Sequence, residues 1–181
     1  VDVRPLSNHE FFTRLGRRVI PAIADVTGDG YVFRVDMRLR PNGDAGPLAV
    51  STAMLEEYLM VQGREWERFA WLKGRVVSAP VFASAEEFER QERSLAGVVR
   101  PFVFRKYLDF GAINALRDLH GLIRAESSRR NAGREDRSDN VKLGRGGIRE
   151  IEFIAQAFQI IRGGRDPGLR SRSTLETLAT L

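Results

Sequence analysis

Residues 31–40 constrain this chain more than any other stretch. Tyr31, Phe33, Val35, Met37 and Leu39 fall on one face of an extended backbone, and Val32, Arg34, Asp36, Arg38 and Arg40 on the other. Period two predicts a β-strand with one buried face. Pro41 cannot donate to a ladder and ends the strand, and residues 42–47 (Asn-Gly-Asp-Ala-Gly-Pro) read as a glycine-rich loop. Residues 48–50 suit a second, short strand. A lone strand or hairpin is marginally stable, so the apolar face must be covered by neighbouring helices or by another chain.

The rest of the pattern is helical. Ser7 with Glu10 forms a capping box, and Phe11, Leu15, Val19, Ile20 and Ile23 recur at helical spacing, predicting a helix over 8–26. Gly28-Asp29-Gly30 is a turn. Two helices are expected over 52–62 and 64–76, with Trp66 and Phe69 in the core and the charges around them paired on the surface. Residues 78–84, with Pro80, mark the expected domain boundary. Beyond it Leu108, Ala112, Leu116, Leu119 and Ile123 make a long apolar stripe. Residues 126–140 are polar and aperiodic and predict a loop. A helix is expected over 148–161, largely buried because it is apolar on most sides, and a last one from about residue 171 that runs off the end.

Composition closes off several function classes. Hydrophobic residues make up 43% of 181, enough for a packed core. No apolar run approaches the ~20 residues that span a bilayer, and no leader pattern opens the chain. Cysteine is absent, which removes disulfide and thiolate chemistry. A soluble, cytoplasmic protein without membrane or nucleic-acid partners is expected. The first residue is Val rather than Met, which suggests a piece of a longer polypeptide. The net charge of +5 comes from 29 basic residues, nearly all arginine. Such an excess fits a solvated surface, and arginine also suits bidentate contact with phosphate or carboxylate.

Two places carry candidate chemistry. On the polar face of the strand, Asp36 lies ~6.5–7 Å from Arg34 and Arg38, from a rise of about 3.3 Å per residue, with Arg40 beyond. A carboxylate among guanidiniums stays ionised and suits a hard cation, while the arginines suit phosphate oxygens. The competing reading is a solvent-facing strand whose charges pair with each other. Gly43 and Gly46 in the loop after it let backbone amides approach a phosphate, though the loop is neither a Walker A motif nor a dinucleotide fingerprint. The second place is the run 144–153. Arg149, Glu152, Gln156 and Gln159 share one narrow polar stripe on the following helix, facing either a strip of solvent or a wet cleft. Glycines before that helix let either another backbone or a ligand phosphate approach its N-terminus, and Glu150 and Glu152 in its first turn complement the helix dipole. His9 and His120 are lone histidines within expected helices and read as non-catalytic.

Three segments, in order, resemble a known family. They are Val35-Asp36-Met37-Arg38-Leu39-Arg40-Pro41 with Gly43-Asp44-Ala45-Gly46-Pro47-Leu48, then Gln62-Gly63-Arg64-Glu65-Trp66-Glu67-Arg68, then Lys142-Leu143-Gly144-Arg145-Gly146-Gly147-Ile148-Arg149-Glu150-Ile151-Glu152-Phe153 with Arg162-Gly163-Gly164-Arg165-Asp166-Pro167. Together they look like the bifunctional glutamine synthetase adenylyltransferase and adenylyl-removing enzymes, over essentially the whole chain. The third segment looks more like the N-terminal, adenylyl-removing half. The resemblance implies an α+β, predominantly helical chain. Residues 1–78 would be the C-terminal part of a DNA polymerase β-like nucleotidyltransferase domain, and 79–181 a helical bundle truncated at its C-terminus. It implies phosphorolysis of an adenylylated tyrosine on glutamine synthetase to give ADP, with Mg²⁺, nucleotide and phosphate as cofactor and substrates. It also implies the PII signal protein as a partner and glutamine as a regulator. Asp36 matches the third metal-binding aspartate of the family, with Arg38 and Arg40 beside it as phosphate contacts, and Arg34, Gly43, Gly46, Arg149 and Glu152 as nucleotide-site candidates. The other two aspartates should form an Asp-x-Asp pair on an upstream strand, and no such strand is present in this sequence. The chain alone is therefore expected to be inactive. Alternatives are the ATP-dependent adenylylating half, or a non-catalytic helical module that binds glutamine synthetase or a PII regulator.

Overall fold

The first helix begins where its cap dictates. Ser7 Oγ accepts from the Glu10 amide at 3.2 Å and Glu10 Oε2 accepts from the Ser7 amide at 3.0 Å, so two otherwise orphaned donors are satisfied reciprocally. Helix α1 runs Asn8–Ala24. The computed structural model describes residues 5–77, 84–106, 110–131, 140–142, 144 and 146–181. It divides into two compact units, Val1–Gln62 and Gly63–Leu181. The boundary expected at 78–84 falls almost wholly outside the described residues.

In the first unit the predicted strand does not form. Residues 31–40 are extended and then turn, without a ladder, and 48–50 pair with nothing either; among the described residues there is no strand, only a single bridge between Thr27 and Gly30. Along 31–37 the Phe33 amide reaches the Ile23 carbonyl at 3.1 Å, one bond where a ladder would have several. The physical reason is the one that makes isolated strands marginal: among the described residues no second strand lies beside it. The apolar face is correspondingly uncovered, with Tyr31, Phe33 and Leu39 exposed. On α1, Phe11, Phe12, Leu15 and Val19 are exposed as well. Helix α2 (Thr52–Val61) starts on Ser51, whose Oγ accepts from the Met54 amide, and buries Leu55 and Leu59.

The second unit is helical throughout. It contains α3 (Glu65–Leu72), α4 (Ala85–Val103), α5 (Phe110–Asn131), α6 (Ile148–Arg162), a 3-10 turn at Pro167–Arg170 and α7 (Thr174–Thr180). Helix α3 packs on α4, α5 and α6, while α6 packs on the 3-10 turn and α7. Phe69 of α3 stacks on Phe153 of α6 with ring centres 5.3 Å apart, and His120 of α5 stacks on the same ring at 5.0 Å. Leu72, Phe102, Val103, Leu116, Ala155, Ile160 and Leu169 are buried around this junction. Of the expected stripe on α5, Leu116 is buried; the side chains of Ala112, Leu119 and Ile123, and all of Leu108, lie outside the described residues.

Three expectations change here. Helix α5 continues through residues 126–131, where a loop is expected; Glu126, Arg129 and Arg130 are good helix formers despite the lack of an apolar stripe. The rest of that predicted loop, 132–139, lies outside the described residues. Around α3, Trp66 is exposed whereas Glu67 and Arg68 are buried, the reverse of the expected pattern. Arg68 Nε lies 2.9 Å from Glu65 Oε2 and its guanidinium sits over the Phe102 ring at 4.7 Å. Glu67 Oε2 accepts from the Arg64 amide at 2.7 Å. Buried charge is tolerated here because Arg68 is paired with Glu65 and lies over an aromatic ring, and Glu67 accepts a backbone hydrogen bond. Finally, α6 buries Ala155, Gln159 and Ile160 but leaves Ile148, Ile151, Ile154, Phe158 and Ile161 exposed, so it is not the largely buried helix its composition suggested.

Candidate functional site

Asp36 and Arg38 form the tightest polar contact of the first unit. Arg38 Nη2 donates to Asp36 Oδ2 at 2.6 Å, Arg38 Nε donates to Oδ1 at 3.0 Å, and the Arg38 backbone amide donates to Oδ1 at 3.1 Å. Two residues on opposite faces of a flat strand would lie too far apart for this; the two-residue separation on one side, in a segment already turning at 38–39, permits it. The Arg38 side chain, then its backbone amide, holds the Asp36 carboxyl far below the usual carboxylate range, and Asp36 in turn raises the Arg38 guanidinium. Arg34 adds a weaker pull in the same direction and is itself exposed.

Arg40 does something different from its neighbours. Its Nη1 donates to the Met37 carbonyl at 2.7 Å, its Nε to the Gly46 carbonyl at 3.1 Å and its Nη2 to the Asp44 carbonyl at 3.1 Å. The Asp44 carboxylate stands 3.8 Å from Nη1. One guanidinium thus ties both ends of the loop together. The loop needs its glycines for the same reason. Asn42 and Gly43 take φ of 60° and 55°, and a Cβ on Gly46 would lie 1.9 Å from the Pro41 carbonyl oxygen. The glycines therefore serve the close packing of the loop on itself.

A magnesium ion does not fit the described residues of this chain by themselves. They contain no group of three or more His, Asp or Glu side chains that could surround a metal, and the Asp36 carboxylate is already engaged on both oxygens. Asp36 offers one ligand, where octahedral magnesium needs several.

The second candidate run is closed by its own backbone. The Ile148 amide donates to the Val141 carbonyl at 2.9 Å and the Arg149 amide to the Lys142 carbonyl at 3.1 Å. Of the two readings open for its glycines, the structure shows close backbone approach: a Cβ on Gly147 would lie 2.6 Å from the Val141 oxygen, and Gly146 takes φ of 72°. Glu150 Oε2 accepts from the Gly146 amide at 2.9 Å, and its Oε1 lies 3.4 Å from Arg124 Nε. The polar stripe runs from solvent into the core. Arg149 is exposed, Glu152 and Gln156 are half-buried, and Gln159 is buried, donating to the Leu169 and Ser171 carbonyls at 2.8 and 2.6 Å. At the far end of α6, Gly163 lies against the Phe104 ring, and Gly164 receives the 105–106 backbone so closely that a Cβ on it would lie 2.0 Å from the Arg105 oxygen. Arg145 lies outside the described residues.

Two family models match the sequence. Residues 2–91 match the model for glutamate-ammonia ligase adenylyltransferase, and residues 117–181 match that for the GlnD PII-uridylyltransferase. A bifunctional glutamine synthetase adenylyltransferase/adenylyl-removing enzyme from Ralstonia nicotianae is 62% identical over 97% of this chain and 19% of its own length. Proteins of the same name from Burkholderia mallei and Nitrosomonas europaea are 61% and 56% identical, over 96% and 98% of the chain and 18% of their own lengths. The chain thus spans less than a fifth of the length of these relatives, and it belongs to the family of the bifunctional glutamine synthetase adenylyltransferase/adenylyl-removing enzymes.

Proposed function

We propose that this chain is part of an enzyme that controls glutamine synthetase by covalent modification, and that it serves the adenylyl-removing reaction. The observation that carries the family-level reading is the identity of 62% along 97% of the chain with a relative so named. The choice of half rests on the third sequence segment, where Arg149 and the Arg162-Gly163-Gly164-Arg165 run look like the N-terminal half. In this reading residues 1–78 belong to a nucleotidyltransferase domain of DNA polymerase β type and 79–181 to the helical domain that follows it.

Roles follow from what each group can do. Asp36, ionised at any physiological pH by its contact with Arg38, is proposed as one aspartate of the family's metal site, whose other two aspartates this sequence does not contain. Arg38 and Arg34 expose positive charge beside that carboxylate and are suited to phosphate oxygens of an attacking phosphate or of the adenylyl group. Arg40 is proposed to act indirectly, by holding residues 42–46 in shape. Gly43 and Gly46 permit that shape. Arg149 is free to meet a partner at the exposed end of its stripe, with Glu152 beside it. Glutamine synthetase is the proposed protein substrate, and the PII signal protein and glutamine the proposed regulators. The cytoplasm is the proposed compartment; among the described residues no helix is long and apolar enough to cross a membrane.

The test is a chimaera in which residues 1–181 replace the matching segment of the Ralstonia nicotianae relative. With adenylylated glutamine synthetase and phosphate it should release ADP, and Asp36→Asn should reduce the rate at least a hundredfold. Loss of ATP consumption and pyrophosphate release instead, with phosphate-dependent ADP release intact in Asp36→Asn, would assign the segment to the adenylylating half.

A further inference from the structure

The second unit holds a cleft of about 890 Å³ between the end of α3, one side of α4 and the segment that follows α6. Its charge is lopsided. Arg75, Arg93, Arg100, Arg170 and Arg172 line it, against two acids, Glu89 and Glu92. Two of the arginines are already engaged. Arg93 lies 3.4 Å from Glu89, and Arg170 donates to the Gly163 and Gly164 carbonyls while lying over the Phe104 ring. The side chains of Arg75, Arg100 and Arg172 make no ion pair or hydrogen bond among the described residues, although all three line the same cavity. They come from three separate elements: the segment after α3, the last turn of α4 and the segment after the 3-10 turn. Lys73 anchors the last of these, donating from Nζ to the Arg172 carbonyl and to Thr174 Oγ1 at 3.0 Å.

Like charges gathered in one concavity repel each other, and they are stabilised by an anion that bridges them. The walls are not uniformly polar. Trp71, Val76, Val99 and Phe104 also face the cavity. Its volume lies within the range of about 300–1,000 Å³ typical of small-molecule sites. Three guanidiniums without partners call for a ligand with at least two negative charges, and the aromatic and aliphatic lining calls for a flat or apolar body attached to them.

We propose that this cleft is a binding site for a phosphorylated small molecule of nucleoside-diphosphate size, its phosphates held by Arg75, Arg100 and Arg172 and its body packed against Trp71 and Phe104. The site is built from the second unit alone, shares no residue with the Asp36 region, and does not rest on the reaction proposed above.

The two tryptophans of the chain are Trp66 and Trp71, so Trp66→Phe leaves Trp71 as a reporter inside the cleft. The 181-residue chain carrying that change would be titrated with ADP, inorganic phosphate and citrate, reading Trp71 fluorescence and calorimetric stoichiometry. ADP should saturate at one per chain, with phosphate and citrate at least tenfold weaker. Arg100→Gln with Arg172→Gln should weaken ADP at least tenfold, and Arg75→Gln alone at least threefold, with helical circular dichroism unchanged. Arg17→Gln with Arg18→Gln on α1 removes the same charge elsewhere and should leave ADP affinity within twofold. The proposal is overturned if ADP gives no saturable signal, if citrate or phosphate binds as tightly as ADP, or if the α1 pair weakens ADP as much as the cleft pair.

Discussion

Arg38 and Arg40 stand two residues apart and do opposite jobs. Arg38 fixes a carboxylate, and Arg40 fixes a loop. The first has a pH consequence. The Asp36 carboxyl is lowered in the folded chain, so its pairing contributes stability above the ordinary carboxylate range and loses it as pH falls below about 4 towards the folded value. Because the pair is solvent-exposed, the effect on stability is small, but the titration itself is visible. Arg38→Gln should move the Asp36 carboxyl titration upward towards the ordinary range, as followed by carboxyl-carbon NMR; an unmoved titration would show that another group holds it. Gln159 makes a second residue-scale case. It is buried and its amide serves two carbonyls, so Gln159→Leu should cost roughly 1–3 kcal/mol for each acceptor left bare, measured as a lower urea midpoint. At this scale the sequence was readable where chemistry is local. The Ser7–Glu10 cap follows from spacing alone. Burial of Arg68 does not, because it depends on Phe102, which comes from another helix.

Among the elements, helices were legible and the strand was not. A helix satisfies its backbone within itself, so α1, α2 and α6 start where their first residues predict and end within about two residues of expectation. A strand is a promise about a neighbour. The alternation over 31–40 is unmistakable in the sequence, but among the described residues no second strand lies beside it, and the segment stays without a ladder. Hydrogen exchange provides the measure: amides of 34–37 should exchange orders of magnitude faster than those of 155–160 in α6. Slow exchange across 34–37 would mean that a ladder forms in solution. Residues 126–131 are the converse case. Their sequence lacks an apolar stripe, but α5 extends through them by propensity and continuity.

For the molecule as a whole, the two units differ in how finished they are. The second has a packed junction of α3, α5 and α6 built on the half-buried rings of Phe69, Phe153 and His120. The first leaves Phe11, Phe12, Tyr31 and Phe33 exposed, and of its aspartates Asp36 alone matches the family's metal-site pattern, with no Asp-x-Asp pair beside it in the sequence. The 181-residue chain alone should therefore show no release of ADP from adenylylated glutamine synthetase, while the chimaera does; robust turnover by the chain alone would remove the need for further carboxylates. What the sequence carried at this scale was the family, through three short motifs. Several glycines and charges in those motifs serve packing: Gly46, Gly147 and Gly164 each sit where a side chain would collide with backbone. Motifs of this kind identify a lineage more readily than they identify a reaction.

Two glycines that bracket α6 have a mechanical consequence. Gly147 presses its start against the 141–142 backbone, and Gly164 presses its end against 105–106. Backbone held against backbone at both ends leaves no slack for a piston stroke or a roll about the axis. Any signal relayed through this unit has to carry α6 together with both abutments, as a single lever.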